Sequence, residues 1–193
     1  MRFAYADPPY LGQGVKHYGD RHVDAADCDT LEWHAALIQR LCGEFPDGWA
    51  LSLHTPSLKA MLNLCPDDVR VGAWIKPFAA FKKNVTRAYC WEPIILRGGR
   101  PIPTDMPTVR DFIEMPISMI EAPAVKEPIA MKRGFPGAKP AAVCWWIFDW
   151  LNLQPEDELV DLFPGSGAVA EALQAWREAK SGNCQLGMFG EAA

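Results

Sequence analysis

Two short stretches hold residue types that can do chemistry, DPPY at residues 7–10 and DLFPGSG at residues 161–167. In the second, an apolar run ends in an acid, two glycines allow a sharp backbone turn, and a helix-forming run begins at once. Backbone amides and the positive end of a helix then face whatever lies at the end of the strand. The glycine pattern is neither GxGxxG nor GxxxxGK, and no Lys or Arg stands near it to meet a polyphosphate. A nucleoside without phosphates, carrying hydroxyls and an amine, suits it better. Asp161 would accept from a cationic amine, while Gly165 and Gly167 leave room for close approach. The competing reading is a plain strand-to-helix turn with a solvated aspartate.

The first stretch suits a different task. The exocyclic amine of a nucleobase is a poor nucleophile because its lone pair is delocalised into the ring, so acceptors must hold it in a more tetrahedral form. Asp7 supplies a carboxylate, and the stiff prolines Pro8 and Pro9 can aim the Pro8 carbonyl at the same amine. Tyr10 offers a flat face for a base drawn out of a duplex. Alone, DPPY equally describes a strand stopped by proline beside a packed tyrosine.

Taken together, the two stretches resemble the motifs of the amino-group DNA methyltransferases that use S-adenosylmethionine. DPPY resembles their catalytic motif and DLFPGSG their cofactor motif. The order here, catalytic motif first, resembles the circularly permuted arrangement of the beta class and its small phage-type members. A Lys-Pro pair opens the helix before the cofactor strand in that family, and Lys139-Pro140 stands in the corresponding place. The resemblance implies a Rossmann-like α/β fold, a mostly parallel sheet flanked by helices. It implies S-adenosyl-L-methionine as cofactor, with S-adenosyl-L-homocysteine as product. Asp7, Pro8, Pro9 and Tyr10 match the target-amine and base-stacking positions. Asp161, Phe163, Pro164, Gly165, Ser166 and Gly167 match the cofactor loop, and Lys139 and Pro140 the helix start flanking the methionine end of the cofactor. DPPY points to adenine N6 in DNA, with N4-cytosine or RNA adenine as the alternatives and a non-catalytic nucleic-acid-binding protein as the rival. One departure stands out: Gly187-Met188-Phe189 occupies the place where the family carries an acid for the ribose hydroxyls, and Glu191 comes two residues later.

The net charge is −5, which by itself argues against nucleic acid, whose binding rests on clustered Lys and Arg. The charge is uneven, however. Residues 76–100 carry Lys76, Lys82, Lys83, Arg87, Arg97 and Arg100 against Glu92, and Lys126, Lys132, Arg133 and Lys139 form a second basic group against Glu127. Lys82, Lys83, Arg87, Lys132 and Arg133 are the expected phosphate contacts to double-stranded DNA with a flipped adenine. Six cysteines without a CxxC pair and four scattered histidines suggest neither a zinc site nor a disulfide framework. Residues 1–20 lack the pattern of a signal peptide and no apolar run suits a bilayer, so a cytoplasmic protein is expected.

The elements that must position these residues follow from periodicity. Strands are expected at 2–6, 48–56, 69–76, 87–98, 109–116 and 157–163, with Pro93 marking 87–98 as an edge or bulged strand. Helices are expected at 29–43, opened by Asp29 or Thr30, and at 57–65, 139–153 and 164–182. The tail from residue 183 could add a last strand. Alternating strands and helices favour a mostly parallel sheet covered on both faces. With 193 residues, one methyltransferase domain is expected over 1–193. The loose, proline-rich stretch 98–137 is left to serve target recognition, alone or with a second copy of the chain in a homodimer.

Overall fold

The computed structural model describes residues 1–19, 25–77, 86–115 and 139–183. Six strands form one sheet: β1 (Arg2–Ala6), β2 (Gly48–Ser52), β3 (Arg70–Ile75), β4 (Trp91–Gly98), β5 (Phe112–Glu114) and β6 (Glu158–Asp161), in the spatial order β5-β3-β4-β2-β1-β6. β1 runs parallel to both β2 and β6, and β3 parallel to β5, while β4 is antiparallel to β2 and β3. The sheet is therefore mostly parallel, with one reversed strand. Among the described residues no helix is long and apolar enough to cross a membrane.

Alternation along the strands assigns the two faces. Phe3 and Tyr5 of β1, Ala50 of β2, and Ile94 and Leu96 of β4 pack with α4 (Ala141–Trp150) and α5 (Ala168–Glu178). Their neighbours Ala4, Ala6, Trp49, Leu51 and Ile95 face the other way, toward α2 (Leu31–Glu44) and α3 (Leu58–Leu62). β2, nearly all of β1 and the middle of β4 are buried because both faces of the sheet are covered there.

Two helices fix the site. α4 is anchored through its tryptophans, which belong to the core: Trp145 Nε1 donates to Ala172 O at 2.9 Å and Trp146 Nε1 to Arg110 O at 2.8 Å. The Trp146 indole lies over Gly72, where an added Cβ would stand 2.6 Å from it, so Gly72 admits no side chain without displacing α4. α2 begins at Thr30, whose Oγ1 accepts from Trp33 N at 3.3 Å. Asp29 instead accepts from Gly14 N at 2.6 Å and Val15 N at 3.1 Å. It thereby ties down α1 (Gly14–Tyr18), which follows the DPPY turn.

The expectation for Pro93 needs correction, because β4 lies between β3 and β2 and is interior. Pro93 pairs with Ala73, whose own N–H turns away to Asp111 O. The Pro93 carbonyl faces the other side and accepts from Leu53 N at 3.2 Å, one residue past the end of β2. The missing donor thus points beyond the ladder and leaves β4 intact.

Candidate active site

The charged residues of the candidate site gather along one edge of the sheet. Asp161 ends β6 and Asp7 follows β1. His54 follows β2, Glu92 lies near the start of the reversed β4, and Lys76 follows β3. Asp161 pairs in register with Tyr5, and Leu162 N donates to Tyr5 O at 3.0 Å, so Asp161 and Asp7 stand on adjacent strand ends. Ligands of open α/β sheets bind at this carboxyl edge.

Around Asp7 the side chains form a closed ionic cluster. Lys139 Nζ donates to Asp7 Oδ1 at 2.8 Å and Oδ2 at 2.7 Å, and lies 3.2 Å from Tyr10 Oη and 3.8 Å from Glu92 Oε2. Tyr10 Oη in turn donates to Glu92 Oε2 at 3.1 Å. Lys76 pairs with Glu92 Oε1 and sits over the Trp74 ring, 4.3 Å from its centroid. Two cations thus balance two carboxylates. Tyr10 stacks on His54 with ring centroids 5.4 Å apart and planes 12° apart. Beyond His54 a cleft of about 90 Å³ opens between Lys76, Tyr89, Trp91 and Glu92.

Burial sets the electrostatics. Lys139 retains 3% exposure and Asp7 19%. Burial raises the Asp7 pKa from its ordinary value, against the pull of Lys139, with Glu92 adding to the rise. For Lys139, burial favours the neutral amine, but Asp7, Tyr5 and Glu92 outweigh it and hold the ammonium above its ordinary value. Lys76 is shifted down by burial despite Glu92, and His54 is likewise shifted down by burial. The Cys144 thiol in α4 is pushed up to about 12 by burial, so it supplies no thiolate at neutral pH.

At the other end of the edge lies the 161–167 loop. Asp161 Oδ1 accepts from Phe163 N at 3.1 Å, while Oδ2 is buried with no partner among the described residues, and burial raises this carboxyl. An orphaned buried oxygen fits a cationic donor from a ligand. Phe163 rests against Trp33 of α2, ring centroids 5.9 Å apart. Gly165 and Gly167 take left-handed φ values of 46° and 81°. A Cβ on Gly167 would meet nothing within 4 Å and one on Gly165 only the Phe163 carbonyl at 3.6 Å. Gly167 is the N-cap of α5, and no side chain caps that helix. Pro164 and Gly165 are exposed, and Ser166 is half-buried at the same turn. These residues fit S-adenosylmethionine, whose ammonium group would meet Asp161.

Not every expected residue joins this edge. Pro8 is buried and Pro9 half-buried in the turn that carries Asp7 and Tyr10, and Pro140 is the N-cap of α4, next to Lys139. Lys139 itself reaches Asp7, whereas the resemblance implied for Lys139 only the methionine end of the cofactor. Arg87 is exposed. Lys82, Lys83, Lys132 and Arg133 lie outside the described residues, as do Gly187-Met188-Phe189 and Glu191. The basic run 76–100 is largely neutralised where it is described: Lys76 pairs with Glu92, Arg97 with Asp68 at 2.8 Å, and Arg100 with Asp157 at 2.8 Å. Arg97 and Arg100 also sit at the opposite edge of the sheet, at and beyond the end of β4.

Lys76, Glu92 and His54 were not among the expected site residues. A signal for the first two exists, since Asp7, Lys76, Glu92 and Lys139 each immediately precede a proline. A residue before proline is held extended, which projects its side chain from a fixed backbone. The same dipeptide at Arg100-Pro101 falls on the far edge, so the pattern needs the topology to be read.

No protein-family model matches the chain, and no curated protein does. Among solved structures it is similar to M1.HpyAVI in complex with SAM, with a TM-score of 0.54 and 16% sequence identity over 91% of this chain and 78% of that one. A crystal structure of M1.HpyAVI gives a TM-score of 0.51 and 16% identity, over 92% of this chain and 77% of that one. The likeness establishes a shared α/β fold.

Proposed function

We propose that the chain methylates the exocyclic amine of a base in DNA, adenine N6, using S-adenosylmethionine. The observation that carries the reading is the placement of Asp7 and Asp161 on adjacent strand ends, one beside an aromatic platform and the other beside a glycine-lined helix start. S-adenosylmethionine, when bound, supplies an electrophilic methyl group on its sulfonium. The chain's own part is to hold it and to present the nucleophile. Asp161 would accept from the ammonium group, and the Gly165–Gly167 turn would admit the ligand to the amides of α5. Asp7 and the Pro8 carbonyl would accept the two N–H bonds of the target amine, orienting its lone pair. Tyr10, held in a stack with His54, would supply the aromatic platform for the flipped base. Its hydroxyl is held by Glu92, which fixes the ring.

Asp7 would accept from N4 of cytosine as readily, and RNA offers the same amine, so base and polymer are separated by experiment. Arg87, with Lys82, Lys83, Lys132 and Arg133, would track phosphates, and residues 98–137 would contact the target, alone or in a homodimer. Transfer of labelled methyl to DNA and to RNA, followed by nucleoside analysis, tests the reading. Label in N6-methyldeoxyadenosine is expected. Label in N4-methyldeoxycytidine or only in RNA would move the substrate, and S-adenosylmethionine binding without transfer to either polymer would favour a non-catalytic role.

A further inference from the structure

Both oxygens of Asp7 are taken by Lys139. A target amine that donates to Asp7 competes with Lys139 for one of these oxygens, and a buried ammonium whose acceptor is shared or drawn away is left under-compensated. Glu92 is the second carboxylate within reach. Its Oε1 is committed to Lys76, which Trp74 pins from the other side. Among the described residues its Oε2 accepts at hydrogen-bond distance from Tyr10 Oη alone, and it lies 3.8 Å from Lys139 Nζ. A carboxylate oxygen has two lone pairs, so Oε2 retains acceptor capacity. A shift of about 1 Å would bring Lys139 into a full hydrogen bond there.

Resting on the reading of Asp7 as the amine acceptor, we propose that Glu92 is a positioning residue: it takes up the Lys139 ammonium when the target amine takes an oxygen of Asp7. The exchange keeps every charge in the cluster paired. Lys76 serves as the fixed counterion that holds Glu92 in place. Tyr10, whose hydroxyl lies 3.1 Å from Glu92 and 3.5 Å from Asp7, links the two seats.

The test compares wild type with Glu92→Gln in methyl transfer to adenine-containing DNA, with S-adenosylmethionine binding and thermal stability measured alongside. Without Glu92 the ammonium stays on Asp7, so kcat is expected to fall about tenfold to a hundredfold, the range set by a hydrogen bond to a charged group. Cofactor affinity in the absence of DNA should stay within about twofold. A second readout separates positioning from support. Asp7 is faced by Lys139 from α4's start, Tyr5 on β1, Asp161 on β6, Cys144 on α4, Lys76 beyond β3 and Glu92 itself. Removing the Glu92 charge takes away a group that raises Asp7, so the acid limb of the rate should move to lower pH. If Glu92→Gln does not fold, the double variant Lys76→Met with Glu92→Gln, which removes one charge of each sign, carries the same comparison. An active wild type with unchanged kcat in the variant overturns the proposal and leaves the reading of the site intact. A loss of kcat matched by lost stability and lost cofactor affinity, with the acid limb unmoved, also overturns it. A wild type that transfers no methyl overturns both.

Discussion

Lys139 and Asp7, 132 residues apart in the chain, form a bidentate ion pair at 2.7 and 2.8 Å. The pair joins the start of α4 to the end of β1 and places a permanent cation at the proposed amine seat. It therefore links the stability of the fold to the chemistry of the site.

Breaking that pair should be costly. Lys139→Met leaves two mostly buried carboxylates, Asp7 and Glu92, with only Lys76 between them, and such a loss typically costs about 3–5 kcal/mol. The Asp7 pKa, already raised in the folded state, would rise further. A carboxyl with a raised folded pKa binds its proton more tightly folded than unfolded, so the variant should recover stability as pH falls. Urea unfolding at pH 7 and pH 5 checks this. A deficit that is equal at both values, or larger at pH 5, would contradict the assignment.

The pH dependence of methyl transfer should report Asp7 directly. Only the ionised carboxylate can accept both from Lys139 and from the target amine, and burial raises this group. The acid limb of kcat/KM should therefore lie above about 4, the value of an ordinary aspartate, with rate lost as pH falls. A limb at or below that value would show that Asp7 is not the group titrating.

Asp161 separates affinity from stability. Its Oδ2 is buried without a partner among the described residues and its carboxyl is raised by burial, so the ion is held at a cost to the fold. Asp161→Asn should weaken S-adenosylmethionine binding about tenfold to a hundredfold while leaving the melting temperature equal or higher at pH 7. Calorimetric titration and thermal unfolding decide the matter. Unchanged affinity would remove Asp161 from the cofactor site.

Much of this arrangement is legible in the sequence. Periodicity finds each described strand and long helix, and DPPY with DLFPGSG picks out Asp7 and Asp161, because turn chemistry is local. What is missed depends on pairing. Proline in 87–98 suggests an edge, yet Pro93 lies in an interior strand, since sequence shows the lost donor without the side it faces. The run 76–100 looks basic, but Asp68 and Asp157 neutralise two of its arginines from elsewhere in the chain. Glu92 is the sole acid in that run and therefore reads as incidental. Only the reversal of β4 carries it to the same edge as Asp7, where it meets Lys76, Tyr10 and Lys139.

The central claim is that Asp7 accepts the target amine at a site that binds S-adenosylmethionine independently of it. Asp7→Ala, assayed for labelled methyl transfer to DNA and for S-adenosylmethionine affinity by calorimetry, tests it most directly. The account predicts that transfer is abolished while cofactor affinity stays within about tenfold of wild type. Retained transfer by Asp7→Ala would contradict it.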